Sequence, residues 1–89
     1  MNFEWSPKKA HENEAKHGVA FDEAIDVFSD ELSSTVSDPD HSIGEARYLI
    51  FGRTRQDQYL VVGFTERSDR IRIINARQLT RQERKAYEQ

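Results

Sequence analysis

The sequence predicts an α+β fold, an antiparallel β-sheet with two N-terminal helices packed on it and a short C-terminal helix. Three observations carry this reading. Runs of β-branched and aromatic residues recur over 47–53, 59–65 and 70–76, joined by connections too short for parallel crossovers. Two segments with helical start and stop signals precede them. Thr80-Arg81-Gln82-Glu83 follows them as a capping box. With 89 residues a single domain spanning the chain is expected. A domain of this size buries about 60–65% of its unfolded surface.

The elements follow in order. Phe3-Glu4-Trp5 alternates apolar, polar, apolar, as a short strand does. Ser6 then suits an N-cap and Pro7 the first helical position, since proline has no N–H to leave unsatisfied. This helix is expected over 7–17, stopping at Gly18 in the left-handed C′ position. Its apolar content is thin, mainly Ala10 and Ala15, so it lies largely exposed or is covered by a partner. A second helix is expected over 21–28, with Phe21, Ala24, Ile25 and Phe28 in one stripe and Asp22 and Glu23 in its first turn. Residues 32–36 read as an edge strand and Asp38-Pro39-Asp40 as a turn or loop. The three strand runs come next, with turns at Gln56-Asp57 and Ser68-Asp69, and a last helix runs to about Tyr87. In the third run Arg70 and Arg72 point to one side and Ile71 and Ile73 to the other. One side therefore suits a core under the helices, and the other presents arginines.

Composition narrows the function classes. There are no cysteines, which excludes disulfides and thiolate metal sites. No apolar stretch approaches the roughly 20 residues of a membrane span. The first ten residues carry Glu4, Trp5 and Pro7 rather than a long apolar run, so no signal peptide is expected and the cytoplasm is the expected compartment. The net charge of −3 conceals a division. Residues 1–45 hold three basic and eleven acidic side chains, whereas residues 46–89 hold ten basic and five acidic ones, including all nine arginines. Arginine suits bidentate phosphate contact and stacking on bases. Solvated surface charges paired with nearby acids are the plainer alternative.

Four ordered segments carry a resemblance. They are Phe3-Glu4-Trp5-Ser6-Pro7-Lys8-Lys9-Ala10 with Asn13 and Lys16-His17-Gly18-Val19; Phe21-Asp22-Glu23-Ala24 with Val27-Phe28; Asp40-His41-Ser42 with Glu45, Arg47 and Gly52; and Thr65-Glu66-Arg67 with Ile71-Arg72-Ile73-Ile74-Asn75-Ala76-Arg77, Thr80-Arg81, Glu83-Arg84 and Tyr87-Glu88. Together they resemble the BrnT family of type II toxins over nearly the whole length. Asn75 is a local departure, since serine is common there in the family. The resemblance implies a RelE-like fold and a toxin that cleaves RNA without metal or other cofactor and so inhibits translation. It also implies neutralisation by a BrnA-like antitoxin with a ribbon-helix-helix DNA-binding domain, the complex rather than the toxin alone binding operator DNA. A non-catalytic module that acts as co-repressor with a DNA-binding partner is the alternative.

Metal-free RNA cleavage needs a group to take the 2′-hydroxyl proton, one to protonate the leaving 5′-oxygen, and cations to stabilise the phosphorane. His17, His41 and Glu45 are the candidates for proton transfer. His41, with Asp38, Asp40 and Glu45 nearby, reads first as a loop residue held by local bonds, and a metal site there is the weaker alternative. The catalytic set expected is Lys16, His17, Glu45, Arg67, Arg72 and Arg77, with Arg47, Arg81, Arg84 and Tyr87 binding RNA and no metal ligands. Lys16 and His17 also suit a helix C-terminus on dipole grounds alone, and Tyr87 also suits packing against the sheet.

Overall fold

The computed structural model describes residues 1–41 and 43–88. Ser42, within the third of the matching segments, lies outside them. The chain forms β1 (Asn2–Glu4), α1 (Pro7–His17), α2 (Phe21–Ala24) running into a 3₁₀ turn (Ile25–Ser29), β2 (Ser34–Ser37), a second 3₁₀ turn (Pro39–His41), β3 (Arg47–Arg53), β4 (Tyr59–Arg67), β5 (Arg70–Gln78) and α3 (Arg81–Glu88). One five-stranded sheet has the order β1-β5-β4-β3-β2. β2 to β5 form the antiparallel meander, but β1 pairs parallel with β5, Phe3 facing Ile71. The sheet is therefore mixed, not antiparallel throughout. Alternation in Phe3-Glu4-Trp5 assigns faces but not direction, and the open edge of β5 on which β1 docks would accept either.

Local chemistry starts and stops the helices as expected. Ser6 Oγ accepts the Lys9 N–H at 3.3 Å, Pro7 opens α1, and Gly18 closes it at φ +69° with its N–H on Glu14 O at 2.9 Å. At α3, Thr80 Oγ1 accepts from Glu83 N at 3.1 Å and Glu83 Oε1 accepts from Thr80 N at 2.9 Å, a closed capping box. The second helix is shorter than its apolar stripe implies. After Ala24 the chain tightens into the 3₁₀ turn, which brings Val27 and Ala24 to the same buried face. That turn lies hard against Gly52 of β3, where a Cβ would stand 2.7 Å from Val27 Cγ1 and 3.1 Å from Asp30 Oδ2. β2 begins at Ser34 rather than residue 32, because Leu32 sits in a turn and is 77% exposed.

The core is built from Val19, Phe21, Ala24 and Val27 against Ile50, Leu60, Val62, Phe64, Ile73 and Ala76. α1 contributes one buried side chain, Asn13. Its Nδ2 donates to Ala76 O at 2.8 Å and Val19 O at 3.0 Å, and its Oδ1 accepts Ala76 N–H at 3.0 Å. β1 covers only Arg70–Arg72 of β5, so this amide supplies the backbone pairing that no neighbouring strand provides farther along. Among the described residues no helix is long and apolar enough to cross a membrane.

Candidate functional site

The sheet face away from the core holds the charged cluster. Thr65 of β4 is flanked by Arg47 of β3 and Arg72 of β5, and Arg72 by Glu4 of β1, one row across strands roughly 4.8 Å apart. Thr65 is buried and donates its hydroxyl to Ala46 O at 2.7 Å, which pins the segment between Glu45 and Arg47. Arg67 forms a fork on Glu45, with Nη2–Oε1 3.1 Å and Nε–Oε2 3.3 Å. Glu4 receives Arg72 at 2.8 Å and Arg70 at 3.5 Å. The Arg67 hydrogen bonds hold the Glu45 carboxyl below the usual range against the penalty of burial, helped by the charges of Arg67, Arg47 and Arg72. The hydrogen bond from Arg72 does the same for Glu4.

A bulge decides where Arg77 points. Phe64 faces Ile73 and Gly63 faces Asn75, so Ile74 is an extra residue in β5. Past it the alternation is reset: Ala76 faces the core and Arg77 pairs with Val61 on the charged face. Arg77 donates to Glu83 of α3 at 2.8 and 3.0 Å. These bonds, with the Thr80 N–H, hold Glu83 down to about 2 and push Arg77 up.

A groove of about 250 Å³ lies between these features. Leu49, Val61, Gly63 and Ile74 contribute apolar lining, and Asp38, His41, Arg47, Asn75 and Arg77 contribute the polar groups. His41 is set by the 3₁₀ turn, its Nδ1 3.0 Å from Asp38 Oδ2. This contact turns Nδ1 toward the carboxylate and leaves Nε2 as the ring nitrogen directed away from it. A second groove, lined by Lys9, Glu12, Asn13, Lys16 and His17, meets the first at Ile74 and Asn75.

The expected residues thus fall into three places. Arg47 and Arg77 line the first groove, Lys16 and His17 line the second, and Glu45, Arg67 and Arg72 stand as ion-paired groups on the same sheet face. Arg81 and Arg84 are exposed on α3 and line neither groove. Arg84 pairs with Glu88 at 2.9 Å and lies 4.0 Å over the Tyr59 ring. Tyr87 packs edge-on against Tyr59 at 5.8 Å and donates its hydroxyl to Asp30. Burial and that hydrogen bond push Tyr87 up to about 12, so in the free chain it is a structural contact. Among the described residues no three His, Asp or Glu side chains gather as a metal set: Asp38 takes His41, while Glu45 turns to Arg67. Sequence reasoning read His41 as a loop residue outside the catalytic set and noted Asn75 only as a departure from the family's serine. The i, i+3 spacing of Asp38 and His41 was the available signal for the first; that departure was the signal for the second.

A model of the family described as the ribonuclease toxin, BrnT, of type II toxin–antitoxin systems matches residues 5–83. The 1.1 Å crystal structure of the Brucella abortus ribonuclease toxin BrnT superposes with a TM-score of 0.67 at 21% identity, covering 91% of this chain and 99% of that one. No curated protein matches the chain significantly.

Proposed function

Since the chain belongs to the BrnT family of ribonuclease toxins of type II toxin–antitoxin systems, we propose that it is a cytoplasmic, metal-independent endoribonuclease whose reaction takes place in the groove between His41 and Arg77. The observation that supports this most is the joining, in one groove, of an imidazole oriented by a carboxylate with two guanidinium groups. His41 Nε2 takes the 2′-hydroxyl proton, the freed oxygen attacks the adjacent phosphorus, and Arg47 and Arg77 stabilise the phosphorane. His17, across the bulge with Lys16, returns a proton to the leaving 5′-oxygen. Glu45, held ionised by Arg67, orients Arg67, and Glu4 orients Arg72, on the flanking phosphates, rather than Glu45 acting as base. The carboxylates on Arg67 and Arg72 do not oppose this, because part-exposed pairs contribute about 0–1 kcal/mol and yield to phosphate, whereas the firmer Arg77–Glu83 fork gives way only to a contact of similar strength, such as a charge-assisted bond to phosphate. Arg81 and Arg84 add outer phosphate contacts, while Tyr87 binds RNA only if it leaves Asp30.

Type II membership implies an antitoxin, and the partner proposed is BrnA-like, with a ribbon-helix-helix domain that carries the complex to operator DNA. A RelE-like ancestry of the scaffold and inhibition of translation belong to the same reading. The test is cleavage of RNA by the purified chain in EDTA. Products ending in 2′,3′-cyclic phosphate are expected. His41→Ala and Arg77→Ala are expected to lower the rate ~10²–10³-fold, and Arg55→Ala, an exposed change on the Asp26 side of the fold, by less than about twofold. Cleavage that requires a divalent ion overturns the mechanism. No cleavage with or without a divalent ion leaves the non-catalytic co-repressor.

A further inference from the structure

The bulge that turns Arg77 outward also presents a side chain that the cleavage steps do not use. Asn75 is exposed, stands opposite Gly63, and accepts the Gly63 N–H on Oδ1 at 3.3 Å. Gly63 makes room for it: a Cβ there would lie 2.8 Å from Oδ1 and 3.2 Å from Cγ. A backbone donor therefore decides which way the amide is turned. Its oxygen faces the strand, and Nδ2, without a partner among the described residues, keeps both N–H groups for a ligand.

The surroundings suit a flat, weakly polar ring tied to a phosphate. Leu49, Val61 and Ile74 give an apolar lining, and Arg77 gives a cation on the same groove. We propose that this groove is a nucleobase subsite selective for keto bases, guanine and uracil, with Asn75 Nδ2 donating to the guanine O6 or the uracil O4. Adenine and cytosine carry an amine at the corresponding position, so a donor meets a donor and the amide is left unsatisfied. The proposal rests on the RNA-cleaving reading for its substrate but has its own readout.

The experiment titrates the purified chain with the four nucleoside 3′-monophosphates, following side-chain amide signals by NMR. The guanosine and uridine monophosphates are expected to bind roughly tenfold tighter than those of adenosine and cytidine and to shift the Asn75 amide. Asn75→Asp keeps the shape and the acceptor toward Gly63 but turns an acceptor to the ligand. All four then bind more weakly, and the ratio reverses in favour of the amino bases. Gly63→Ala, which displaces the amide without removing it, brings the ratio near one; thermal melts establish that each variant is folded. Equal binding of the four nucleotides, or a keto preference that survives Asn75→Asp, overturns the subsite. A chain that shows the preference yet cuts no RNA in EDTA loses the cleavage reading and keeps the subsite. A chain that cuts RNA with no base preference loses the subsite and keeps the cleavage.

Discussion

Asn13 does for the open edge of β5 what a neighbouring strand would do. One amide answers both backbone groups of Ala76 and also the Val19 carbonyl, so it joins the first helix, the sheet and the start of α2. Asn13→Ala leaves these backbone groups buried without partners. The expected cost is about 2–4 kcal/mol, read as a fall in Tm of roughly 10–25 °C for a domain of this size. A fall of only a degree or two in a thermal melt means that water has taken over the amide's bonds. Asn13 was visible in the sequence as a polar residue on a thin helix and as one of the residues carrying the family resemblance, with no structural role attached. Its use depends on Ala76, far away in the chain, and local patterning carries no record of such a pairing.

At the scale of elements, α3 is held by side chains rather than by a buried face. None of its residues is buried; Glu83 ties it to Arg77, and Tyr87 ties it to Asp30 and Tyr59. For Asp30 the burial penalty is outweighed by the Tyr87 hydroxyl and the Leu32 and Arg53 N–H groups, so its carboxyl is lowered. Glu83 is depressed from 4.5 to about 2 in the folded chain. Its contribution is therefore fully present above about pH 4.5 and is lost as pH falls toward 2. With allowance for solvent screening it is worth about 1–2 kcal/mol. Glu83→Gln should melt roughly 5–15 °C below the parent at pH 7, with the gap closing between pH 4.5 and 2. A gap that stays constant down to pH 2 would mean that the carboxylate charge is not what holds the helix. The capping box was legible at once; that its glutamate also clamps Arg77 was not, because the bulge settles which face Arg77 occupies.

Across the whole molecule, the sharp charge division along the chain does not become a division in space. Glu4 and Glu45 come from the acidic half and reach Arg72 and Arg67 of the basic half on one sheet face. The face is electrically mixed in the free chain, so on the proposed reading RNA phosphates exchange with carboxylates rather than landing on bare cations. For single-stranded RNA the slope of log affinity against log salt is about −0.7 per phosphate contact. The contacts through Arg67, Arg72 and Arg77 alone contribute about −2 to that slope. Arg77→Ala should lower its magnitude by about 0.7, whereas Arg55→Ala should leave it unchanged. Measuring RNA binding across a salt series decides this, and a slope unaffected by Arg77→Ala would remove that residue from the phosphate contacts.

The sequence by itself determined what short-range chemistry controls. Ser6-Pro7 and Gly18 bound the first helix, Thr80 and Glu83 start the last, and alternation in Arg70-Ile71-Arg72-Ile73 divides the sheet into an apolar face and a charged one. Each of these is settled within a few residues by hydrogen bonding and side-chain direction. Only the tertiary structure decided the parallel docking of β1, the tightening of α2 against Gly52, and the bulge at Ile74. Arg77 stands an odd number of residues after Arg72, so simple alternation sends the two to opposite faces. The extra residue reverses that, and with it come the His41–Arg77 groove and the outward Asn75. Such outcomes depend on which strand lies alongside and what fits between them, and a chain read one residue after another does not contain its neighbours.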